Sequence, residues 1–171
     1  MRIIESPNSA IQLRNARPDE LEEVSSLLVA AFQEYAKYMP SNMWNAYRND
    51  IEDISSRILD SELIVADVSD HIAGTVTFYP KGSKDGWPEG WAGIRLLGVH
   101  PDFRGQGIGR ALMEECIRRC QKFDIMTIGL HTSVLMKVAR ALYEDLGFKR
   151  APEFDIHLVP DNIVLAYRFD L

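Results

Sequence analysis

Three glycines alternate with other residues at one point of the chain, with an arginine on either side of them. The stretch reads V-H-P-D-F-R-G-Q-G-I-G-R-A-L and includes Arg104, Gly105, Gln106, Gly107, Ile108, Gly109 and Arg110. Apolar residues before the glycines predict a buried strand, and the periodicity after them predicts a helix. Glycine adopts conformations closed to other residues, so this turn can point several backbone N–H groups one way. A helix start adds unpaired N–H groups and a positive dipole end, and the sum predicts a phosphate or pyrophosphate site.

The spacing of these glycines excludes two common phosphate-binding motifs. A dinucleotide fold requires G-x-G-x-x-G at the start of a helix, but the third position after Gly107 is Arg110. A P-loop requires Lys and then Ser or Thr after its last glycine, whereas Gly109 is followed by Arg110 and Ala111. A strand-to-helix turn without a ligand remains the alternative. Alternating glycines weaken local structure, however, so they need a reason.

The composition predicts a single cytoplasmic domain. A chain of 171 residues, 46% hydrophobic and 26% charged, can bury one full core. We expect one domain over residues 1–171, with its core in 11–169. No segment approaches the ~20 apolar residues of a membrane span, and the first residues do not resemble a signal peptide. The net charge of −6 without a basic run argues against nucleic acid and suits a small cationic ligand.

The two cysteines are expected to be core thiols rather than metal ligands. Cys116 and Cys120 continue the helical row of Ile108 and Leu112, which is the face that packs on a sheet. A metal site needs further ligands at close spacing, and the sequence offers none nearby. The four histidines are scattered: His71, His100, His131 and His157. We therefore expect no metal.

The rest of the chain alternates between strand and helix patterns. Predicted strands are Ile11–Asn15, Glu62–Val68, Ile72–Tyr79, Trp91–Val99, Ile125–His131 and Ile163–Phe169. One predicted helix starts at Pro18-Asp19, where Asp19 and Glu22 form a capping pair. Further predicted helices cover Met43–Leu59, Ile108–Phe123 and Ala139–Leu146. This order predicts an α/β fold with helices on both faces of a sheet.

A second motif lies about thirty residues after the glycine turn. Ala139–Phe148 reads A-R-A-L-Y-E-D-L-G-F, and together with R-x-x-G-x-G after an apolar strand it resembles the GNAT N-acetyltransferase superfamily. The resemblance covers roughly residues 11–169. It implies an α/β fold whose mixed, mostly antiparallel central sheet of about seven strands is flanked by helices on both faces.

The resemblance also implies a reaction and a donor. Members of the family transfer the acetyl group of acetyl-CoA to a primary amine of a small molecule or a protein, by direct attack on the thioester. The turn would hold the CoA pyrophosphate, and Leu97-Gly98-Val99 would bind the acetyl and pantetheine groups, with Gly98 favouring a bulge or close ligand approach. The residues expected to bind acetyl-CoA are Leu97, Gly98, Val99, Arg104, Gly105, Gln106, Gly107, Ile108, Gly109, Arg110 and Tyr143.

Such a transfer needs a neutral amine, an N–H donor for the oxyanion and a proton for the departing sulfur. Tyr143 matches the family tyrosine that supplies this proton. The reference pKa of tyrosine, ~10, is close enough to the ~8.5 of a thiol for this role. A core tyrosine whose hydroxyl meets water is the alternative.

The chain departs from the family pattern at two positions. Gly93 lies where many members carry the glutamate that acts as general base, so no carboxylate can act from there. Glu89 is a weak substitute, Glu153, Asp155 and His131 are weaker still, and the base is left open. Met136 lies where many members carry an asparagine that binds the CoA arm.

The sequence indicates less about the amine that accepts the acetyl group. Aromatic and apolar residues suited to a cationic or aromatic amine are Tyr35, Tyr38, Met39, Met43, Trp44, Tyr47, Tyr79, Trp87 and Trp91. Packing of helices against the sheet explains them equally well. Two other functions stay open: a CoA-binding sensing module, and an acyltransferase with a longer donor or a hydroxyl acceptor. Homodimers are common in the family.

Overall fold

A computed structural model of the protein describes residues 1–5, 10–82, 85–159 and 162–171. The chain divides into two compact units. The first unit contains Met1–Thr77 and Leu96–Glu115, and the second contains Phe78–Arg95 and Cys116–Leu171. Among the described residues, no helix has the length and hydropathy needed to cross a membrane.

The described residues form nine strands and five α-helices. The strands are β1 (Arg2–Glu5), β2 (Ala10–Asn15), β3 (Glu62–Val68), β4 (His71–Tyr79), β5 (Ala92–Val99), β6 (Thr127–Ser133), β7 (Lys149–Arg150), β8 (Ile156–Val159) and β9 (Asn162–Asp170). The α-helices are α1 (Leu21–Phe32), α2 (Ser41–Glu52), α3 (Ile54–Arg57), α4 (Ile108–Lys122) and α5 (Lys137–Leu146). Short 3-10 helices cover Pro18–Glu20, Gln33–Tyr38, Pro101–Phe103 and Pro152–Phe154.

In the first unit the strands are ordered β1-β2-β3-β4-β5. Helices α4 and α1 pack closely on β4 and β5. A Cβ at Gly74 of β4 would lie 2.7 Å from Ile108 of α4. A Cβ at Gly98 of β5 would lie 3.0 Å from Leu28 and 3.3 Å from Ala31, both in α1. These two glycines therefore let helices approach the strands more closely than a side chain would permit.

In the second unit the order is β5-β6-β9-β7, and β8 also pairs with β9. Strands β5 and β6 are parallel, with Ala92–Ile94 opposite Ile128–Leu130. The pairings of β9 with β6, β7 and β8 are antiparallel. The predicted fold class is confirmed: a mixed, mostly antiparallel sheet flanked by helices.

Several predicted element boundaries are wrong. The predicted helix Met43–Leu59 is broken at Asp53, whose carboxylate accepts a hydrogen bond from the Ser56 N–H and so starts the separate helix α3. The helix predicted to start at Pro18-Asp19 begins with a 3-10 turn, and its α-helical part α1 ends at Phe32, where a second 3-10 helix follows. The sequence places no strand at the positions of β1, β7 and β8, because two to four residues with little alternation carry a weak strand signal.

The predicted capping pair of Asp19 and Glu22 is also wrong. Glu20 performs the capping instead, since its carboxylate accepts a hydrogen bond of 2.7 Å from the Arg17 N–H. The same buried carboxylate takes two hydrogen bonds, 2.7 and 2.8 Å long, from the guanidinium of Arg14. Arg14 in turn pairs with Asp67 of β3 at 2.7 Å. These bonds hold the pKa of Glu20 at about 2.

Replacing Glu20 with Gln is expected to lower the free energy of unfolding at pH 7 by about 2 kcal/mol. The pKa of Glu20 is lower in the folded chain than its ordinary 4.5, so its stabilisation is complete above that pH and disappears toward pH 2. Urea unfolding from pH 7 to pH 2 measures this. Glu22→Gln, at an exposed position in the first turn of α1, is the control. Equal losses in the two variants would contradict the assignment.

Cys116 and Cys120 are buried on α4 and form no disulfide, and their burial agrees with the predicted helical row. Burial raises the pKa of Cys120 to about 12, so its thiol stays protonated and unreactive. Within the described parts of the chain, no group of three or more His, Cys, Asp or Glu residues is arranged to hold a metal.

Candidate functional site

The glycine turn has the backbone that its sequence predicts at two of its three glycines. Gly105 and Gly107 have φ angles of 76° and 80°, in the left-handed region that side chains rarely adopt. Both are exposed, and a Cβ built on either would meet nothing within 4 Å. Both positions therefore need glycine for its backbone conformation and not to avoid a steric clash. Gly109 differs, because it lies inside α4 with no positive φ.

Helix α4 begins directly after Gly107, whose carbonyl accepts a hydrogen bond of 3.0 Å from the Ala111 N–H. The N–H groups of Ile108 and Gly109 therefore lie at the open start of the helix, before its first i→i−4 hydrogen bond. Ile108 is 1% exposed, and its side chain anchors this first turn against β4. A fixed row of amide donors at the positive end of a 15-residue helix suits an anion such as pyrophosphate.

The arginine side chains beside the turn have partners of their own. Arg104 Nη2 donates a 3.0 Å hydrogen bond to the carbonyl of Ala31 near the end of α1, and it lies 2.9 Å from Glu34. Arg110 lies 3.9 Å from Glu114 on the next turn of α4. The sequence indicated no partner for Arg104, because these contacts join segments about seventy residues apart.

Strand β5, which precedes the turn, contains an unusual backbone at Leu96. Its φ of 52° places a leucine in the left-handed region, at a cost of roughly 1–2 kcal/mol. Such strain often marks a functional site, because it redirects the peptide groups that follow, here those of Leu97 and Gly98. The sequence pointed to Gly98 for the irregularity. Gly98 instead provides room for α1, and no sequence signal distinguished Leu96.

Tyr143 belongs to the second unit, where α5 carries it into a buried aromatic group. It is 6% exposed, and its ring lies 6.0 Å from that of Phe148 and 6.3 Å from that of Tyr167. The helix ends as predicted at Gly147, with a φ of 102°. The hydroxyl of Tyr167 donates a 2.7 Å hydrogen bond to Glu144. The ring of Tyr143 is therefore fixed by its neighbours and is almost completely buried.

Met136 immediately precedes α5. Its sulfur accepts a hydrogen bond from the hydroxyl of Thr132, with an oxygen–sulfur distance of 3.7 Å. Thioether sulfur is a weak acceptor and donates nothing. The position thus lacks the donor that an asparagine amide supplies.

The carboxylates proposed as weak bases differ in their surroundings. Gly93 is buried opposite Gly129 in the β5–β6 pair, and as a glycine it provides no carboxylate. Asp155 binds Arg150 at 2.7 Å and the N–H of Ala166 at 2.7 Å, and these contacts lower its pKa and its basicity. Glu89 and Glu153 are exposed.

The aromatic residues form separate groups within each unit. In the first unit, Trp44 is buried, and the rings of Phe32, Trp44 and Tyr47 meet at 6.0 and 6.2 Å, so they pack α2 on α1. Tyr38 and Met43 are 59% and 44% exposed. These two residues have surface free for a ligand, whereas Trp44 serves packing.

In the second unit, Trp87 lies between two rings. It stacks on Trp91 at 5.7 Å and on His131 at 4.5 Å, and Phe154 contacts both tryptophans. The guanidinium of Arg168 lies 4.8 Å from the Trp91 ring centre and so occupies a position that a ligand cation would take. Tyr79 is 4% exposed.

The chain is similar in sequence to known acetyltransferases. The chain is 30% identical over 140 residues to Acetyltransferase SG1711 of Sodalis glossinidius, covering 78% of this chain and 87% of that protein. It is 42% identical over 55 residues to the [Ribosomal protein bS18]-alanine N-acetyltransferase of Escherichia coli K12. That match spans only 32% of this chain and 37% of the relative.

Solved structures share the fold. The PaiA N-acetyltransferase of Thermoplasma acidophilum, in complex with coenzyme A, has a TM-score of 0.74 at 15% identity, over 93% of this chain and 99% of that one. A GNAT family acetyltransferase of Brucella melitensis, in complex with acetyl-CoA, has a TM-score of 0.61 at 23% identity, over 81% and 82%. The model of the Acetyltransferase (GNAT) family matches residues 21–148. The chain belongs to the GNAT acetyltransferase family.

Proposed function

We propose that the protein is an acetyl-CoA-dependent N-acetyltransferase acting on a primary amine of a small molecule or a protein. The observation that carries this proposal is the pair of left-handed glycines directly before α4, in a member of the GNAT family. We further propose that the whole chain is one acetyltransferase domain, active in the cytoplasm, a compartment where cysteines such as Cys116 and Cys120 stay out of disulfides.

The donor would be held mainly by backbone N–H groups, with the side chains of Arg104 and Arg110 beside them. Amides of Gln106 to Arg110 face the pyrophosphate, where the helix dipole favours negative charge. Peptide groups of Leu97 to Val99, redirected by the left-handed Leu96, bind the pantetheine and orient the thioester carbonyl. Acetyl-CoA supplies the activated acetyl group, and these contacts place it for attack.

The transfer then needs one nitrogen–carbon bond to form and one carbon–sulfur bond to break. The neutral amine nitrogen attacks the thioester carbon, and an N–H of β5 stabilises the oxygen that becomes negative. The nitrogen releases one proton to solvent water as the amide forms. Tyr143 gives its hydroxyl proton to the leaving thiolate and regains one from solvent. Its fixed position on α5 supports this role, because proton transfer depends on alignment.

The acceptor is proposed only as a class. Exposed Tyr38 and Met43 provide apolar surface for it in the first unit. The relative from Escherichia coli acts on an alanine of a ribosomal protein, so a peptide with N-terminal alanine belongs in the test panel. We propose no nucleic-acid partner, because the net charge is −6. A homodimer is proposed as the family's common state.

A CoA-binding sensing module is the second candidate function. The absence of a carboxylate at Gly93 favours it, since many family members keep a glutamate there. Such a module would bind acetyl-CoA without transferring its acetyl group to any amine.

Isothermal titration with acetyl-CoA, followed by thiol release with a panel of amines, separates these functions. The panel contains polyamines, aromatic amines, lysine peptides and the N-terminal alanine peptide. Binding with amine-dependent thiol release supports the enzyme. Binding with only slow hydrolysis across the panel favours the sensing module, and failure to bind acetyl-CoA contradicts both.

Arg104→Ala is expected to weaken acetyl-CoA binding about tenfold, because the resemblance places its guanidinium beside the pyrophosphate. Loss of its contact with Ala31 should also lower the melting temperature, since that contact caps α1. Glu34→Gln is the matched variant, because it removes the ion-pair partner and leaves Arg104 in place. Calorimetry and thermal unfolding of both variants measure the two effects. Unchanged affinity in Arg104→Ala would remove this residue from the donor site.

A further inference from the structure

The first unit contains a cleft of about 490 Å³. Three segments of the chain line it: one face of α1, the start of β4, and the 3-10 helix Pro101–Phe103 with the residue before it. Its volume lies within the range of roughly 300–1,000 Å³ that is typical of small-molecule sites. Among the described residues, its lining includes neither Tyr38 nor Met43 nor any residue of the glycine turn. The cleft is therefore separate from the surfaces proposed above for donor and acceptor.

The buried part of the lining is apolar. Leu27 of α1 is 3% exposed and Ile72 of β4 is 7% exposed, so both side chains belong to the core and reach the cleft with little of their surface. The ring of Phe103 also lines the cleft and is half-buried. This surface suits the hydrocarbon part of a ligand, because covering it removes apolar area from water.

Phe103 contacts two imidazole rings that line the same cleft. The centre of its ring lies 6.4 Å from that of His71 and 6.1 Å from that of His100. The backbone N–H of His100 donates a 2.9 Å hydrogen bond to the carbonyl of Ala73, which ties this residue to β4. The face of a phenylalanine ring attracts a cation, and a neutral imidazole such as that of His71 offers one nitrogen to a ligand N–H.

Two carboxylates complete the lining, and in the part of the chain that the structure describes it includes no Lys or Arg. Glu23 lies one helical turn before Leu27 and is exposed without an ion-pair partner. Asp102 is 84% exposed, and its carboxylate lies 3.8 Å from Nδ1 of His100. That nitrogen accepts a 3.2 Å hydrogen bond from the Asp102 N–H, so it carries no proton that could neutralise the carboxylate. The cleft is thus negatively charged.

These features exclude two kinds of ligand. Residues 1–5, 10–82, 85–159 and 162–171 contain no group of three or more His, Cys, Asp or Glu arranged to hold a metal ion. An anion would be repelled by the carboxylates, with no cation in the lining to oppose them. An organic cation with a hydrocarbon chain matches the carboxylates, the aromatic ring and the apolar surface together.

We propose that this cleft is a binding site for a small alkylammonium cation. The hydrocarbon chain of the cation packs on Leu27 and Ile72. Its ammonium group lies near the ring of Phe103, within reach of the carboxylates of Glu23 and Asp102. The inference goes beyond the proposed function and does not depend on acetyl transfer. A cleft that holds only solvent is the competing explanation.

Three probes with a carbon chain of the same length test the site: cadaverine, pentanediol and glutarate, which are cationic, neutral and anionic. Each is titrated into the whole chain without acetyl-CoA, and the backbone amide signals are followed by NMR. We expect cadaverine to shift the signals of Ser26, Ile72 and Asp102 to saturation, whereas the other two probes leave them in place. Cadaverine shifts confined to other parts of the chain, or an equal response to either other probe, would overturn the proposal.

Variants of the two carboxylates test the contribution of charge. Glu23→Gln and Asp102→Asn should each raise the Kd of cadaverine, measured from the signals of the cleft, about threefold. The double variant should raise it about tenfold, and both positions are exposed, so the fold should be retained. Glu22→Gln is the control, because Glu22 is an exposed carboxylate of α1 outside the cleft. An unchanged Kd in the double variant would contradict the proposal.

Phe103→Leu tests the aromatic ring separately. It keeps an apolar side chain in the cleft but removes the ring face, so the Kd of cadaverine should rise about fivefold. Acetyl-CoA should bind Glu23→Gln as it binds the wild type, because Glu23 lies outside the glycine turn. Failure of the wild-type protein to acetylate any amine would count against the proposed function and not against this site.

Discussion

Tyr143→Phe is expected to lower kcat for amine acetylation about 100-fold while changing the Kd of acetyl-CoA less than threefold. The phenylalanine ring retains the contacts with Phe148 and Tyr167, at 6.0 and 6.3 Å, so α5 should keep its position. The substitution removes only the hydroxyl group, and with it the proton for the sulfur. Expulsion of an unprotonated thiolate is then slower, because the leaving group departs with its full negative charge.

Tyr167→Phe is the matched control for this experiment. Tyr167 is fully buried beside Tyr143, and its hydroxyl donates to Glu144 at 2.7 Å. Losing that hydrogen bond should lower the free energy of unfolding by about 1 kcal/mol while kcat stays within threefold. Steady-state thiol release gives kcat, and calorimetry gives the Kd. Equal kcat in Tyr143→Phe and wild type would show that another group protonates the sulfur.

Gly107→Val is expected to weaken acetyl-CoA binding about 100-fold, which is about 3 kcal/mol. A β-branched residue strongly disfavours the φ of 80° at this position, so the turn must rearrange. The rearrangement moves the N–H groups that precede and open α4, and hydrogen bonds to a charged phosphate contribute about 1.5–3 kcal/mol each. Stability should change little in comparison, because the turn is exposed and a Cβ there meets nothing within 4 Å.

Gly90→Val provides a control with the same conformational penalty. Gly90 has a φ of 86°, is exposed, and likewise has nothing within 4 Å of a built Cβ. It lies on the loop before β5, so its substitution should leave the Kd of acetyl-CoA within threefold of wild type. Titration calorimetry with acetyl-CoA compares the two variants directly. A similar loss of affinity in both would mean that the effect of Gly107→Val is general strain rather than a lost phosphate site.

Features set by neighbouring residues were predictable from the sequence. Gly105 and Gly107 adopt left-handed backbone because no other residue type does so readily, and Gly147 ends α5 for the same reason. The buried row that includes Cys116 and Cys120 follows from helical periodicity alone. The family resemblance depends on these same local motifs, and with it the fold class.

Boundaries and capping were less predictable because tertiary contacts decide between close alternatives. Asp19 and Glu20 are both suited to the first turn of a helix, and the guanidinium of Arg14 selects Glu20. Asp53 lies within a run with helical periodicity, yet its side chain starts a new helix. The left-handed Leu96 has no local signature at all, because leucine avoids that conformation unless the surrounding structure imposes it.

The sequence by itself thus determined the glycine turn, the helix that follows it, the tyrosine helix and the family. The tertiary structure alone decided that Arg104 binds Ala31, that Trp87 lies over Gly129, and that His131 stacks on the ring of Trp87. The physical reason is the distance along the chain over which each interaction acts. Backbone preference and periodicity act between residues within one or two turns of each other, whereas these contacts join segments separated by some forty to seventy residues and depend on how strands and helices are placed together.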